Sequence, residues 1–267
     1  MNTKIGLIAG NGQFPIIFSK TANIKGFDIY ALCFINETDP DIENHVKQFE
    51  WANVGHIKKL IKFFKDNNIS NAVMAGGIKK TRMFTDIKPD TKALKLITRI
   101  KSTHDDGLLR AFADLLESEG IKIQPSTFLL PEILAEKGSW TKKKPSKSEK
   151  SDIEIGWHIA KEIGRLDIGQ CLIIEKGSVL AVEAVDGTDA TIRRGGLLGS
   201  GNAVVIKVCK PIQDLRFDMP AVGLETIKTM HEAQASILAI ESGKAIVFNK
   251  KEMIDLANNL NIGIIAV

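Results

Sequence analysis

Residues 4–15 read KIGLIAGNGQFP, and this opening stretch decides the fold of the first half of the chain. Ile5–Ala9 is a short, wholly apolar run that predicts a buried strand, and Pro15 is suited to the first turn of a helix. The glycine turn between them, Gly10–Gln13, therefore lies at a helix N-terminus. Free backbone N–H groups and the positive end of the helix dipole favour a phosphate there. A plain tight turn is the alternative interpretation.

Apolar and amphipathic runs alternate from this stretch as far as Gln124. The further strand candidates are Ile29–Ile35, Ala72–Ala75 and Ile121–Gln124, and the helix candidates are Pro15–Lys25, His56–Asn67, Thr91–Lys101 and Gly107–Glu119. Strands that are apolar throughout and separated by helices predict a parallel sheet covered on both faces. The carboxyl ends of such strands share a crevice, so we expect Gly76-Gly77 to face the same cleft as Gly10–Gln13.

A basic segment, Thr141–Lys150, separates the two halves of the chain. It holds five lysines and one glutamate, which accounts for the whole net charge of +4. We therefore predict an N-terminal domain over 1–137, a basic linker over 138–150 and a C-terminal catalytic domain over 151–267. With the rest of the chain formally neutral and a single tyrosine for base stacking, nucleic acid is not an expected partner.

The second half mixes strand and helix patterns. A hairpin is expected around Lys176-Gly177, from Gln170–Glu175 to Ser178–Ala184. The remaining strand candidates are Asn202–Lys210, Ile237–Ile240, Ala245–Phe248 and Ile262–Val267, and the helix candidates are Ser151–Ile163, Leu224–Ala235 and Lys250–Asn261. This pattern predicts a mixed α/β domain distinct from the first.

Two stretches of the second half concentrate charged side chains between strand and helix candidates. The first carries Glu183, Asp186 and Asp189 just before Arg193 and Arg194. The second runs from Lys210 to Pro220 and includes two aspartates, an arginine and a glutamine. Carboxylates suit a hard divalent cation and arginines suit phosphate, so the combination indicates metal-assisted chemistry at a phosphorus centre. Salt-bridged surface loops are the alternative.

Two further hypotheses from other classes follow from the residues alone. An NAD(P)-dependent oxidoreductase is favoured by the first glycine turn and by Glu37 beyond the second strand, which resembles a ribose-binding acid. The GxGxxG fingerprint fails, however, because Pro15 occupies the third glycine position. A noncatalytic nucleotide-sugar-binding module would use the same turn without any chemistry.

Five long motifs together resemble the UDP-2,3-diacylglucosamine pyrophosphatase family LpxI. They are GLIAGNGQFP, HDDGLLRAF, STFLLPEILAEKG, DIGQCLIIEKGSVLAVEAVDGTDATIRRGG and KPIQDLRFDMPAVGLETI, and they run through essentially the whole chain. The resemblance implies a Rossmann-like N-terminal domain, a distinct C-terminal domain and a substrate held in the cleft between them. It also implies hydrolysis of UDP-2,3-diacylglucosamine to UMP and 2,3-diacylglucosamine 1-phosphate in lipid A biosynthesis, with Mg²⁺ or another divalent cation.

The family's key aspartate lies in an RxDxP stretch, which here makes Asp218 the expected catalytic residue. Asp218 with Asp189 or Asp214 would suffice for Mg²⁺, which takes one or two carboxylates and keeps waters. The expected substrate-binding residues are Gly10, Asn11, Gly12, Gln13, Gly76, Gly77, Thr188, Arg193, Lys210, Gln213 and Arg216.

Composition bounds the cellular setting. Hydrophobic residues make up 44% and charged residues 25%, which excludes wholesale disorder. Three widely spaced cysteines without a CxxC pair indicate a reducing compartment. No secretory signal and no membrane-length apolar run are evident, so a cytoplasmic protein is expected. Its lysine cluster could attach it peripherally to the cytoplasmic face of the inner membrane, and a homodimer is expected from the prevalence of two-fold symmetry.

Overall fold

The computed structural model describes residues 3–78, 89–99, 105–211, 213–216 and 219–267. The chain forms two compact units. The first consists of residues up to Pro131 and also takes in residues 214–216, while the second comprises Glu132–Gln213 and Met219–Val267. The charged segment after Gln213 therefore packs with the first unit, although its neighbours on both sides in sequence belong to the second.

A five-stranded parallel sheet in the order β3-β2-β1-β4-β5 forms the first unit. Its strands are β1 (Thr3–Ala9), β2 (Phe27–Phe34), β3 (Gln48–Ala52), β4 (Asn71–Ala75) and β5 (Lys122–Gln124). The helices are α1 (Phe14–Ile24), α2 (Ile57–Asp66), α3 (Thr91–Arg99) and α4 (Asp105–Ser118), and a short 3-10 helix covers Pro40–His45. Strand order reverses between β1 and β4, which creates a crevice at their carboxyl ends.

The second unit contains a six-stranded mixed sheet in the order β6-β13-β11-β9-β7-β8 and a two-stranded parallel sheet of β10 and β12. Its strands are β6 (Gly138–Ser139), β7 (Cys171–Glu175), β8 (Ser178–Val182), β9 (Val204–Lys207), β10 (Ala221–Val222), β11 (Ile237–Ile240), β12 (Ile246–Val247) and β13 (Gly263–Ala266). Its helices are α5 (Lys147–Arg165), α6 (Thr188–Leu198), α7 (Leu224–Glu232) and α8 (Lys250–Asn259), with a 3-10 turn at Pro131–Ile133.

Helices cover both faces of this mixed sheet. Val205 of β9 belongs to a core with residues of α6, α7 and α8. Val204 and Ile206 belong to a separate core with residues of α5. Because side chains alternate along a strand, one run of apolar residues serves both layers. The predicted fold class is confirmed: a parallel Rossmann-like sheet and a separate mixed α/β unit.

The hairpin around Lys176-Gly177 is confirmed as β7 and β8. Both turn residues have positive φ angles, 49° and 76°. Asp152, buried on α5, accepts hydrogen bonds from the backbone N–H of Lys176 at 2.9 Å and of Gly177 at 2.6 Å. Burial of this carboxylate is thus compensated by two amides that a turn leaves without strand partners.

Residues 138–150, which we expected to form a linker, lie within the second unit. Gly138–Ser139 is strand β6, and Ser146 caps α5 by accepting a hydrogen bond from Glu149 N. Glu149 in turn accepts from Ser146 N at 2.7 Å, which completes a capping box. Helix α5 consequently begins at Lys147, four residues before the predicted start.

Candidate functional site

The two glycine turns of the first unit touch each other at the crevice between β1 and β4. Gly10 N donates to Ala75 O at 2.8 Å, and Asn11 N donates to Gly77 O at 2.7 Å. A Cβ on Gly10 would lie 2.3 Å from Gly77 O, and one on Gly76 would lie 2.3 Å from Asn11 O. Only glycine permits this approach of two backbones. The structure therefore brings together the turns that the sequence placed at one cleft.

A third loop joins them from the end of β2. Asn11 Nδ2 donates to Glu37 Oε2 at 2.9 Å, and Thr38 Oγ1 donates to Ala9 O at 2.5 Å. Glu37, which we considered as a ribose-binding acid, is buried at 8% exposure. Its carboxylate holds the Asn11 side chain of the first glycine turn, which is a structural role for Glu37.

Gly12 and Gln13 present the open side of this turn. Both are exposed, and a Cβ on Gly12 would meet nothing within 4 Å. Gly12 has a φ of +83°, and Gln13 is the N-terminal flanking residue of α1 without a side-chain cap bond. The first N–H groups of α1 therefore have no cap from the Gln13 side chain, as an anion site at a helix start requires.

In the second unit, hydrogen bonds link three of the predicted substrate-binding residues through two that the sequence did not single out as substrate contacts. Thr188 Oγ1 donates to Glu183 Oε1 at 2.9 Å, and the other oxygen of Glu183 accepts from Gln170 N at 3.0 Å. Gln213 Nε2 donates to Gln170 Oε1 at 3.4 Å. Gln213 Oε1 accepts from Lys210 N at 2.9 Å.

This chain of contacts, from Thr188 to Lys210, lies at one end of the strands of the mixed sheet. Antiparallel pairing puts the start of β7 and the end of β8 beside the end of β9. The Lys210 ammonium forms an ion pair with Asp167 Oδ1 at 2.7 Å. Gln170 was not foreseen because an amide before a strand carries no distinctive sequence signal.

A second buried ionic group lies at the end of β11. Glu241 accepts from Lys161 Nζ at 2.5 Å, from Cys209 N at 2.9 Å and from Lys244 Nζ at 2.9 Å. Burial raises the pKa of Glu241, but the hydrogen bonds from Lys161, Lys244 and the Cys209 amide together hold it below its ordinary value. Glu241 fixes the chain at Cys209, just before Lys210. The sequence pattern did not indicate Glu241 as a site residue.

Arg193 and Asp189 stand apart from this chain of contacts. Arg193 points to α7, with Nε 3.4 Å from Glu232 Oε2 and Nη2 3.5 Å from Thr229 Oγ1. Asp189 is exposed in the first turn of α6, where a negative charge complements the helix dipole. A structural role accounts for both contacts, and their predicted binding roles stay predictions.

Asp214 and Arg216 form a closed ionic group in the first unit. Arg216 Nη2 lies 2.8 Å from Asp214 Oδ2, and its Nε lies 3.1 Å from Asp214 Oδ1. Arg216 Nη1 also contacts Glu117 Oε1 of α4 at 3.0 Å. The hydrogen bond from Arg216 is the main cause that lowers the pKa of Asp214, outweighing the effect of burial.

The predicted metal ligands are Asp189, Asp214 and Asp218. Among the residues that the structure describes, no group of three or more His, Cys, Asp or Glu side chains could hold a metal ion. Both oxygens of Asp214 are engaged by Arg216, so a cation there would have to displace the guanidinium. Asp214 therefore does not offer Mg²⁺ a free carboxylate, the metal role of Asp189 stays a prediction, and Asp218 lies outside the described residues.

The cysteines do not supply a nucleophile. Cys33, Cys171 and Cys209 are all free and buried. Burial, with a smaller contribution from Glu43, raises the pKa of Cys33 to about 12. Burial and then Glu183 raise the pKa of Cys171 further still. Thiols in this environment stay protonated and unreactive.

Fold and site together define a class: a two-unit α/β protein with a Rossmann-like glycine-turn crevice in one unit and a polar end of the sheet in the other. Family models match both units. The LpxI N-terminal domain matches residues 4–133, and the LpxI C-terminal domain matches residues 136–265. A curated relative from Caulobacter vibrioides, named UDP-2,3-diacylglucosamine pyrophosphatase LpxI, is 30% identical over 99% of this chain and 97% of its own length. The chain belongs to the LpxI family.

Two solved structures that the chain resembles are distant likenesses. A biotin carboxylase domain of the Hydrogenobacter thermophilus 2-oxoglutarate carboxylase matches 67% of this chain with 14% identity and a TM-score of 0.29. N5-carboxyaminoimidazole synthetase from Staphylococcus aureus matches 64% with 17% identity and a TM-score of 0.25. The chain spans 36% and 37% of those two proteins, and likenesses this weak support no conclusion. Within the described part of the chain, no helix is long and apolar enough to cross a membrane.

Proposed function

We propose that this protein hydrolyses the diphosphate of UDP-2,3-diacylglucosamine, giving UMP and 2,3-diacylglucosamine 1-phosphate for lipid A biosynthesis. The observation that carries the proposal is the match to the Caulobacter relative, which extends over 99% of this chain and so includes both units. The oxidoreductase alternative is weakened because the GxGxxG fingerprint is missing.

In the proposed reaction, water attacks the β-phosphorus of the diphosphate. A P–O bond forms to the water oxygen, the bond to the bridging oxygen breaks, and UMP departs with that oxygen. Asp218 is the proposed catalytic residue, which orients the water and takes up its proton. A carboxylate so placed is a general base, a role that contributes roughly 100- to 10,000-fold to a rate.

The first unit is proposed to bind the nucleotide end of the substrate at its glycine turns. Gly10–Gln13 and Gly76-Gly77 are supported in this role by their mutual hydrogen bonds and by the exposure of Gly12 and Gln13 just before α1. Backbone N–H groups at a helix start bind phosphate without the cost of burying a cation.

The second unit is proposed to bind the phosphate and sugar through Thr188, Gln213 and Lys210, with Arg193 and Arg216 as further contacts. The first three support each other through Glu183 and Gln170. Preorganised donors of this kind stabilise charge that develops on the phosphate oxygens. The substrate is proposed to engage both units at once.

A requirement for Mg²⁺ or another divalent cation is a separate part of the proposal and rests on the family resemblance. When bound, such a cation would neutralise phosphate charge. Removal of divalent cations by chelation, followed by addition of Mg²⁺, tests it: activity is expected to disappear and then return. Undiminished activity in excess chelator would show that the reaction needs no divalent cation.

The activity test measures UMP released from UDP-2,3-diacylglucosamine by the purified full chain. Release of UMP with time supports hydrolysis. Oxidation or reduction of NAD(P) without UMP release would favour the oxidoreductase, and tight binding of the substrate without turnover would favour the noncatalytic module.

Membrane contact and dimerisation are further proposals. The diacylated substrate resides in lipid, and Lys142, Lys143, Lys144, Lys147 and Lys150 form a cluster worth about 1 kcal/mol per lysine near an anionic surface. Replacing all five with glutamine is expected to reduce sedimentation with anionic vesicles at low salt. Equal sedimentation would leave the substrate as the sole link to the membrane. Light scattering of the purified protein reports whether it is a dimer.

A further inference from the structure

Lys207, the last residue of β9, is a buried cation that the described part of the chain holds through a backbone carbonyl and not through a carboxylate. Its side chain is 7% exposed, and its ammonium donates to Ala221 O at 2.8 Å. It forms no ion pair with any residue that the structure describes. A backbone carbonyl satisfies one of three ammonium donors and none of the charge.

Neighbouring lysines at the same end of the sheet are all compensated. Lys210 pairs with Asp167 at 2.7 Å, and Lys161 and Lys244 both pair with Glu241. Burying an ammonium group is costly unless it is paired. Lys207 is the exception within a set that otherwise follows this rule.

The position of Lys207 in the sheet places it on the functional side of the second unit. Val205, two residues earlier on the same strand, faces the core shared with α6, α7 and α8, and so does Cys171, which is opposite Lys207 in register. Side chains two apart on a strand share a face. Lys207 therefore lies at the end of β9 on the face where α6 packs.

Two acids, Glu183 and Asp189, have to be considered as partners of Lys207. Burial, then Glu183 and Asp189, raise the pKa of the Cys171 thiol, while Lys207 lowers it. Both oxygens of Glu183 accept hydrogen bonds, from Gln170 N and from Thr188 Oγ1. Asp189 is exposed. Neither acid forms an ion pair with Lys207.

The carbonyl that holds Lys207 belongs to the segment that follows Asp218. Ala221 is the first residue of β10, and the carbonyls on either side of it, Pro220 O and Val222 O, accept hydrogen bonds from Ile246 N of β12 and from Phe248 N just after β12. Ala221 O lies between these two acceptors and accepts from Lys207 instead. The ammonium is thus anchored three residues along the chain from the proposed catalytic aspartate.

We propose that Lys207 is a binding residue for the diphosphate of a nucleoside diphosphate ligand, whose phosphate oxygen supplies the missing negative charge. This inference rests on the proposed function for the identity of the full substrate. It goes beyond that function in assigning a residue that neither the motif nor the charged loops indicated.

Calorimetric titration of the full chain with UDP, and separately with inorganic pyrophosphate, tests the assignment in buffer containing Mg²⁺. Lys207→Gln keeps a donor for Ala221 O but removes the charge, and is expected to weaken UDP binding about 10-fold or more. Lys207→Arg keeps the charge and is expected to bind UDP more tightly than Lys207→Gln. Lys244→Gln is the matched control, because it removes the same charge at the same end of the sheet, and it is expected to bind UDP like the wild type.

Thermal unfolding of the ligand-free protein separates ligand binding from a structural role. An uncompensated buried charge is unfavourable, so Lys207→Gln is expected to unfold at the wild-type temperature or above. Lys207→Met, a second neutral variant of similar length, provides the same comparison if Lys207→Gln does not fold. Unchanged UDP and pyrophosphate affinity in a folded neutral variant would overturn the assignment.

This outcome is independent of turnover. If the wild type releases no UMP but its binding of UDP depends on Lys207, the proposed function fails and the binding assignment stands. If the wild type releases UMP and the neutral variants bind UDP normally, the function stands and the assignment fails.

Discussion

Asp218 is the residue on which the proposed chemistry depends, and its neighbour Arg216 is firmly held. Arg216 contacts Asp214 through two nitrogens and Glu117 through a third. A guanidinium bound in this way has little freedom to accompany a substrate. We therefore assign Arg216 a stabilising part for the segment before Asp218, beside its proposed substrate contact.

Asp218→Asn is expected to lower kcat by at least about 100-fold, because the amide cannot accept a proton from water. Affinity for UDP is expected to change by less than about threefold, since the shape of the side chain is kept. Steady-state UMP release and calorimetry measure the two quantities. Asp255→Asn, at an exposed position on α8, is the control, and equal activity of both variants would contradict a catalytic role.

Glu241 gives a pH-dependent prediction about stability. Its pKa is lowered in the folded protein, so its contribution is fully present above the unfolded pKa of about 4.3 and is lost as pH falls through the folded value. Glu241→Gln leaves Lys161 without a counter-charge and is expected to cost about 2–4 kcal/mol at pH 7.

Urea unfolding of Glu241→Gln and wild type between pH 7 and pH 3 measures this difference. The gap in unfolding free energy is expected to be largest at neutral pH and to shrink below about pH 4. A gap that stays constant down to pH 3 would show that the carboxylate charge is not the source of the stabilisation.

At the scale of the elements, the contact between the two glycine turns makes the order of three substitutions predictable. Gly10→Ala and Gly76→Ala each put a Cβ 2.3 Å from a backbone oxygen, so each is expected to cost about 1–3 kcal/mol or more. The Cβ of Gly12→Ala would have no atom within 4 Å. Its cost in unfolding free energy comes from the φ of +83° and is about 1–2 kcal/mol.

Gly12→Ala, the mildest of the three substitutions for stability, is expected to have a clear effect on substrate binding. Its methyl group would stand on the open side of the turn, so Gly12→Ala is expected to raise KM for the nucleotide substrate while the protein remains folded. Thermal unfolding and steady-state kinetics on the three variants check both halves. A normal KM for Gly12→Ala would return this turn to a purely structural role.

Strands that are apolar throughout were predictable from the sequence, and β1, β2 and β4 lie where the pattern placed them. Strand β3 (Gln48–Ala52) was missed because its residues QFEWA are mixed in polarity, and its sequence positions read as a connection. It is one of the two edge strands of the sheet and pairs with β2. An edge position requires less apolar surface, so the signal was weak.

Helix α6 was also missed, because TDATIRRGGLL contains two adjacent glycines that argue against a helix. Packing explains them: a Cβ on Gly195 would lie 2.6 Å from Ile173, and one on Gly196 would lie 2.4 Å from Ala233 O. Tertiary contact overrides propensity at these two positions. Strand β9 (Val204–Lys207) is also shorter than the predicted Asn202–Lys210.

At the scale of the whole molecule, the candidate site was predictable where it depends on topology alone. A parallel sheet puts the ends of β1 and β4 together, so the meeting of Gly10 and Gly77 followed from the strand pattern. Gln170, Glu241 and Lys207 were not predictable as site residues, because each has a partner that is distant in sequence: Glu183 for Gln170, Lys161 for Glu241 and Ala221 for Lys207. Side-chain pairing over such distances leaves no local pattern.

The reaction proposed for the full chain is hydrolysis of the diphosphate of UDP-2,3-diacylglucosamine. Mass spectrometry of the products formed from UDP-2,3-diacylglucosamine in ¹⁸O-labelled water tests it most directly. The account predicts UMP and 2,3-diacylglucosamine 1-phosphate in equal amounts, with the label in the phosphate of the lipid product. Label in UMP would show that water attacks the α-phosphorus instead. Failure of the folded protein to form either product would contradict the proposed hydrolysis.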